Sequence, residues 1–246
     1  MTIGGFDVSL PYLVLGALTG LSYGLLAVGL VLVYRSSRFI NFAHIGTGVL
    51  ASAIGAIGIT RFDVPWVLGF GGAIAIGAAI AAGTDRFIVR QLEGTPKVLP
   101  TVATLGVGSA LLLVTVSIND TSSGEYPQPE FLPSFDLGPL FVSSANTALA
   151  LLAPVVVVGL AVFFRRTRYG LAVRAAASRP DAAATSGIPP AAMSTLSWAL
   201  AGGIAAFSAF LVLPGQGSIT PDLLGPGLLF RGLAAAAIAG FMSLPG

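Results

Sequence analysis

Apolar residues in this chain come in long unbroken runs rather than in strand-like alternation or narrow helical stripes. Seven such runs stand out, at 11–33, 39–59, 64–83, 98–118, 142–164, 191–213 and 228–246. A bilayer core of about 30 Å is crossed by about 20 apolar residues at 1.5 Å each, so every run meets or approaches that length. Within lipid a span must satisfy its own backbone hydrogen bonds, which makes each of them a helix. The pattern predicts an all-α integral membrane fold, a polytopic bundle of about seven transmembrane helices forming one domain over 1–246. The first run is expected to stay in the mature protein, because residues 1–34 hold no Lys or Arg and the basic flank of a cleaved signal is missing.

The connections alternate in charge. Arg35 and Arg38 follow the first run, Arg86, Arg90 and Lys97 the third, and Arg165, Arg166, Arg168, Arg174 and Arg179 the fifth. The other connections hold Arg61 and otherwise acids, with Asp120, Glu125, Glu130 and Asp136 in the 119–141 segment. Basic loops stay inside, so the bias predicts an external N-terminus, an external 119–141 loop and a cytosolic 165–190 loop. Arg231 falls at the start of the seventh run and is not counted in that bias.

Composition narrows the chemistry. Of 246 residues 55% are hydrophobic and 9% charged, against about 25% charged in an average soluble domain. There is no cysteine and one histidine, which removes disulfides, Cys-ligated metal and imidazole-rich metal sites from consideration. With no paired carboxylates inside the spans, a membrane-embedded enzyme lacks its reactive groups and a proton-driven carrier lacks its relay. The net charge of +2 gives no reason to expect nucleic acid as a partner.

Small residues at four-residue spacing, Gly16, Gly20 and Gly24 in the first run and Gly69, Ala73, Gly77 and Ala81 in the third, predict close helix contacts. The polar groups inside the spans are mild. Thr19, Ser22 and Tyr23 share a helical face near the middle of the first run, placed either to line a path for a polar solute or to bond a neighbouring helix. Asn41 and His44 lie in the first turns of the second run, about 5–9 Å from its inner boundary, a depth that suits structure or gating rather than a midplane site. Thr101 and Thr104 open the fourth run in the same inner layer.

The segment from Arg165 to Pro190 has clear punctuation. Pro180 suits the first position of a helix, Asp181 the positive N-terminal dipole, and Gly187 with Pro189 and Pro190 a stop. A short helix over 180–186 is expected after a helical stretch over 171–178. Such a helix, break, helix piece either docks on a partner or serves as a solvated basic connector.

At this point a family resemblance enters. The run from Arg174 through Asp181 to Gly187 and Ile188 resembles the loop of branched-chain amino acid ABC importer permeases that precedes a span. Ile40-Asn41-Phe42-Ala43-His44 is similar to the family's I-N-F-A-H, Arg90 to Gly94 to its R-P-L-R-G, and Thr101 to Gly106 to its A-T-x-G. Gly240 to Gly246 resembles G-F-G-S-L-P-G, with Arg231 where a lysine is usual. The likeness covers residues 12–246, on consistent membrane sides.

The resemblance implies a permease subunit in a bacterial cytoplasmic membrane whose loop, through Arg174, Ala175, Arg179, Asp181, Ala184 and Gly187, couples to cytosolic ATP-binding cassette subunits. It further implies a second permease subunit and an external solute-binding protein. Thr19, Ser22, Tyr23, Asn41, His44, Thr101 and Thr104 are its candidates for the translocation path or gate. The chain carries no G-x-x-x-x-G-K-[ST] loop, so ATP is expected on a separate subunit, with no cofactor or metal in this one. Ile45, Gly46 and Thr47 follow His44 where the family has Gly and then an acidic or small residue, leaving the cargo open between branched-chain amino acids and related small polar solutes. In the family further spans follow the Pro245-Gly246 position, so the C-terminal spans are expected to be missing here. An ion-coupled carrier or channel is the alternative reading.

Overall fold

The structure is a computed structural model that describes residues 2–3, 6–7, 10–118, 126–137, 140–216 and 226–238. Six helices among these are long and apolar enough to cross a membrane. They are α1 (Leu10–Ser37), α2 (Ala43–Phe62), α3 (Trp66–Thr84), α4 (Val98–Ile118), α5 (Ser144–Arg166) and α8 (Pro190–Val212). Between the last two lie α6 (Arg168–Ser178) and α7 (Pro180–Thr185). A further helix, α9 (Pro226–Ile238), occupies the described part of the seventh run, the remainder of which lies outside the described residues. The expected all-α architecture is therefore present, with two additions that the hydropathy pattern did not contain. Strands β1 (Thr2–Ile3) and β2 (Phe6–Asp7) pair antiparallel, as do β3 (Phe135–Leu137) and β4 (Leu140–Val142) at the end of the expected 119–141 loop, with Val142 one residue into the expected fifth run.

Helices α2 and α8 form the centre. Their apolar windows are 72% and 67% buried, against 17% for α4 and 22% for α5, which leave most of their surface to the outside. With no hydrophobic drive between helices in lipid, such a centre must close by backbone approach. Gly202 supplies it on α8: a Cβ there would strike the Gly77 carbonyl and the Ala81 side chain of α3. Gly46 on α2 likewise faces the backbone of Gly108 on α4. The small-residue ridge of α3 is buried at all four positions, Gly69, Ala73, Gly77 and Ala81. The ridge of α1 behaves differently: a Cβ at Gly16, Gly20 or Gly24 would meet nothing within 4 Å. That half of α1 also exposes Tyr12, Leu13 and Leu15, so the expected contact is not made within the described chain.

At the end of the bundle opposite the arginines, Trp66 fastens the 126–137 segment. Its ring stacks on Phe70 at 4.9 Å and meets Phe131 and Phe210 edge-on at 5.6 and 5.8 Å. Its Nε1 donates to the Pro127 carbonyl at 3.2 Å.

The arginine-rich end differs from expectation in one respect. The third helix does not stop at 83 but runs on as a π turn (Asp85–Val89) and a 3-10 turn (Arg90–Leu92), giving a continuous 27-residue segment, Trp66–Leu92. At 1.5 Å per residue that is about 40 Å, longer than a bilayer core.

Candidate functional site

Two regions gather the polar groups: the arginine-rich end around α6 and α7, and a face of α1 at half its length.

At the first, Thr167 breaks the chain between α5 and α6. Its Oγ1 accepts from the Gly170 amide at 3.0 Å and donates to the Phe163 carbonyl at 2.7 Å, which satisfies an orphan donor at the start of α6. Gly170, Val173 and Ala176 form the buried face of α6, while Arg174 points away and is exposed. Arg179 is extended at φ −141° and ψ 88°, and Pro180 opens α7 at the next residue. Gly187, at φ +80°, closes it: the Gly187 amide bonds the Ala184 carbonyl at 3.0 Å and the Ile188 amide reaches the Ala183 carbonyl at 2.9 Å. Of α7 only Ala183 is buried; Asp181, Ala182, Ala184 and Thr185 are all exposed. The helix, break, helix element therefore stands as the sequence indicated, with α7 ending within a residue of the expected boundary and α6 beginning three residues earlier.

This element is anchored to the bundle at its edges. Arg38 of the α1 end donates to the Ala177 carbonyl at 3.4 Å. Trp198 Nε1 of α8 donates to Ser37 Oγ at 2.9 Å, with its ring 6.1 Å from Phe39. Beside them lies a polar cluster that the sequence did not reveal. Asp85, 3% exposed, accepts from Ser194 Oγ at 3.0 Å and from Thr195 Oγ1 at 2.6 Å. Arg90, 3.5 Å from the same carboxylate, donates to Thr195 Oγ1 at 2.6 Å and to the Ala191 carbonyl at 3.0 Å. The cluster ties the extended end of the third helix to the first two turns of α8. A cleft of about 440 Å³ opens between it and the α6–α7 element, bordered by Ser36, Asp85, Lys97, Ala177, Pro180 and Ser194.

The inner-layer candidates separate. Asn41 precedes α2, its Oδ1 accepting from the Ala43 amide at 2.9 Å, and Thr104 accepts from the Phe42 amide at 3.2 Å. Together they satisfy two of the unpaired amides at the start of α2. Thr101 stands apart, donating to the Lys97 carbonyl at 2.8 Å. His44 is 1% exposed, bonded to the Leu26 backbone and packed so closely on Gly29 that a Cβ there would collide with its ring.

On the face of α1, Thr19 and Ser22 turn their hydroxyls to the Leu15 and Leu18 carbonyls at 2.7 and 2.9 Å. Tyr23 accepts from Arg231 Nη1 of α9 at 2.6 Å. Ser22 and Tyr23 share a small pocket with α2 and α8; Thr19 is not among its walls.

A family model described as branched-chain amino acid transport system / permease component matches residues 12–246. The chain belongs to that family. This permease is 28% identical over 253 residues to the high-affinity branched-chain amino acid transport system permease protein BraD of Pseudomonas aeruginosa, covering 96% of the chain and 81% of BraD. It is 29% identical to the corresponding LivH of Salmonella typhimurium, over 94% of the chain and 79% of LivH. A probable LivH of Methanocaldococcus jannaschii is 26% identical over 90% of the chain and 71% of its own length. No solved structure matches significantly. The permease is thus a multi-pass membrane protein, and its relatives are transport subunits rather than enzymes.

Proposed function

We propose that this permease is the membrane-spanning subunit of an ATP-driven importer that translocates branched-chain amino acids or a related small polar solute. The observation that carries the reading is the α6–α7 element: an arginine-rich loop folded into two helices at a defined break, with α7 almost wholly exposed beside a cleft. A solvated connector has no need of a proline start, a left-handed glycine stop and a buried Ala183 anchor. Positive-inside partition puts this element in the cytosol and the N-terminus outside. There Arg174, Ala175, Arg179, Asp181, Ala184 and Gly187 form the contact for a separate pair of ATP-binding subunits. A second permease subunit and an external solute-binding protein complete the assembly, as the names of the relatives as transport-system components suggest.

Closure of the ATPase pair pushes α7. Because α7 hinges at Arg179 and Gly187, the push passes through α6 to α1 by the Arg38 contact and to α8 by Pro189 and Pro190. Helices with two packed arrangements then exchange an outward-facing for an inward-facing opening. His44, Asn41, Thr101 and Thr104 lie in the inner layer that such a motion rearranges, and Thr19, Ser22 and Tyr23 at the depth a solute crosses. The test is solute-stimulated ATP hydrolysis by the reconstituted importer with residues 180–185 deleted. Basal hydrolysis is expected to remain while stimulation disappears; unchanged stimulation contradicts the assignment.

A further inference from the structure

Arg231 lies where a charge is expensive. Tyr23, to which it bonds, is midway along the 28-residue α1, about 20 Å from either end at 1.5 Å per residue. The packing of α9 keeps this depth: Gly232 meets Leu26 and Leu30, and Ala236 joins Ala27 and Val31. An arginine at the middle of a bilayer is costly against hydrocarbon, so such a group faces water, protein or a ligand. Among the described residues the one ion pair is that of Asp85 with Arg90, and no carboxylate neutralises Arg231. What holds it is Tyr23, by the 2.6 Å hydrogen bond from Nη1 and by the ring, 5.6 Å from the guanidinium carbon. Among the described residues that one hydroxyl is the hydrogen-bond partner of Arg231, which has five guanidinium N–H donors.

A second observation lies against the same tyrosine. Tyr23 walls a pocket of about 20 Å³, room for one water, together with Ser22, Ser208, Leu26, Ile45 and Val49. Ser208 is 1% exposed, and its hydroxyl has no partner among the described residues. A buried orphan hydroxyl leaves a desolvation cost unrecovered, which a polar ligand atom would offset. The remaining walls are aliphatic.

We propose that Arg231, held by Tyr23 at mid-depth, binds the carboxylate of an amino-acid solute, and that the pocket between α1, α2 and α8 takes its aliphatic side chain. The structure has this pocket closed to water size, so solute entry requires α1 and α8 to part. Arg231 supplies two parallel N–H donors to a carboxylate, the geometry for which a guanidinium is suited. Tyr23 is a positioning residue, fixing the guanidinium, and Ser208 supplies one polar contact inside the pocket.

The site deepens the transport function proposed above and rests on it. The experiment is uptake by the complete reconstituted importer, with leucine and leucinamide as probes, for wild type, Arg231→Gln, Arg231→Lys and Tyr23→Phe. Wild type is expected to prefer leucine over the amide. Arg231→Gln should raise the leucine KM about tenfold or more and erase that preference, the loss of a charge-assisted contact. Arg231→Lys should keep the preference, and Tyr23→Phe should raise KM several-fold without lowering the maximal rate. Wild type that moves no amino acid would overturn the cargo reading itself, before any variant is considered. Wild-type transport with an unaltered Arg231→Gln preference overturns the site alone. Loss of uptake together with loss of the second permease subunit on purification would make Arg231 an assembly contact instead. If Arg231→Gln fails to insert, an unchanged leucine KM in Tyr23→Phe is the overturning result.

Discussion

Asp85 and Thr195 are 110 positions apart in the chain and 2.6 Å apart in space, and the same threonine hydroxyl accepts from Arg90. A buried carboxylate is tolerable only when its lone pairs are used, and here Ser194, Thr195 and Arg90 use them. Removing one partner leaves the other exposed to the full desolvation cost. Asp85→Ala is therefore expected to destabilise the purified permease by about 1–3 kcal/mol. The double variant Asp85→Ala with Arg90→Ala should lose less than the sum of the two single losses. Thermal denaturation in detergent measures this, and strict additivity would show that the two residues do not act together.

Two helix glycines, Gly202 of α8 and Gly20 of α1, should respond oppositely. Gly202→Val drives a side chain into the Gly77 carbonyl and the Ala81 methyl, a collision with backbone that rotamer changes cannot relieve. The yield of folded, monodisperse protein is expected to collapse. Gly20→Val meets open space and should leave the stability of the isolated chain unchanged. Equal loss in both would mean that α1 packs differently from the structure.

That contrast marks how far the sequence could be read. Span positions were legible because lipid-length apolar runs have little alternative. The α7 boundaries were legible because Pro180, Asp181 and Gly187 act locally, each on its own backbone. Whether Gly20 or Gly77 finds a partner depends on which helix arrives opposite, and four-residue spacing says nothing of that. The third helix was cut short at 83 for a related reason. Asp85, Arg86 and Arg90 look like a span end by hydropathy, yet the helix continues because Ser194 and Thr195, more than a hundred residues on, satisfy Asp85. By sequence Arg231 is an edge charge at the start of the seventh run; its depth is set by the packing of α9 along α1, with Tyr23 opposite.

Tyr126 gives a pH dependence. It opens the described 126–137 segment with its ring in the core, approaching Ser52 without a well-formed hydrogen bond, and burial pushes its phenol up to about 12. Between the unfolded value near 10 and this value the unfolded chain loses its proton first. Stability is therefore whole below about pH 10 and falls as pH rises towards 12, by at most about 1.4 kcal/mol per pH unit. Tyr126→Phe should remove that part of the decline and cost little at pH 7, since the hydroxyl it deletes has no partner among the described residues. Urea or thermal unfolding of both proteins at pH 8 and pH 11 checks it; parallel losses in the two would exclude Tyr126 as the source.

The central claim is that the arginine-dense α6–α7 element faces the cytosol, where ATP-binding subunits can reach it. The chain has no cysteine, so one introduced thiol reports cleanly. With Ser186→Cys, exposed at the end of α7, a membrane-impermeant maleimide should label inverted vesicles, whose cytosolic face is outward, and leave intact cells unlabelled. Labelling of intact cells at that position would invert the topology and remove the element from any ATP-hydrolysing partner.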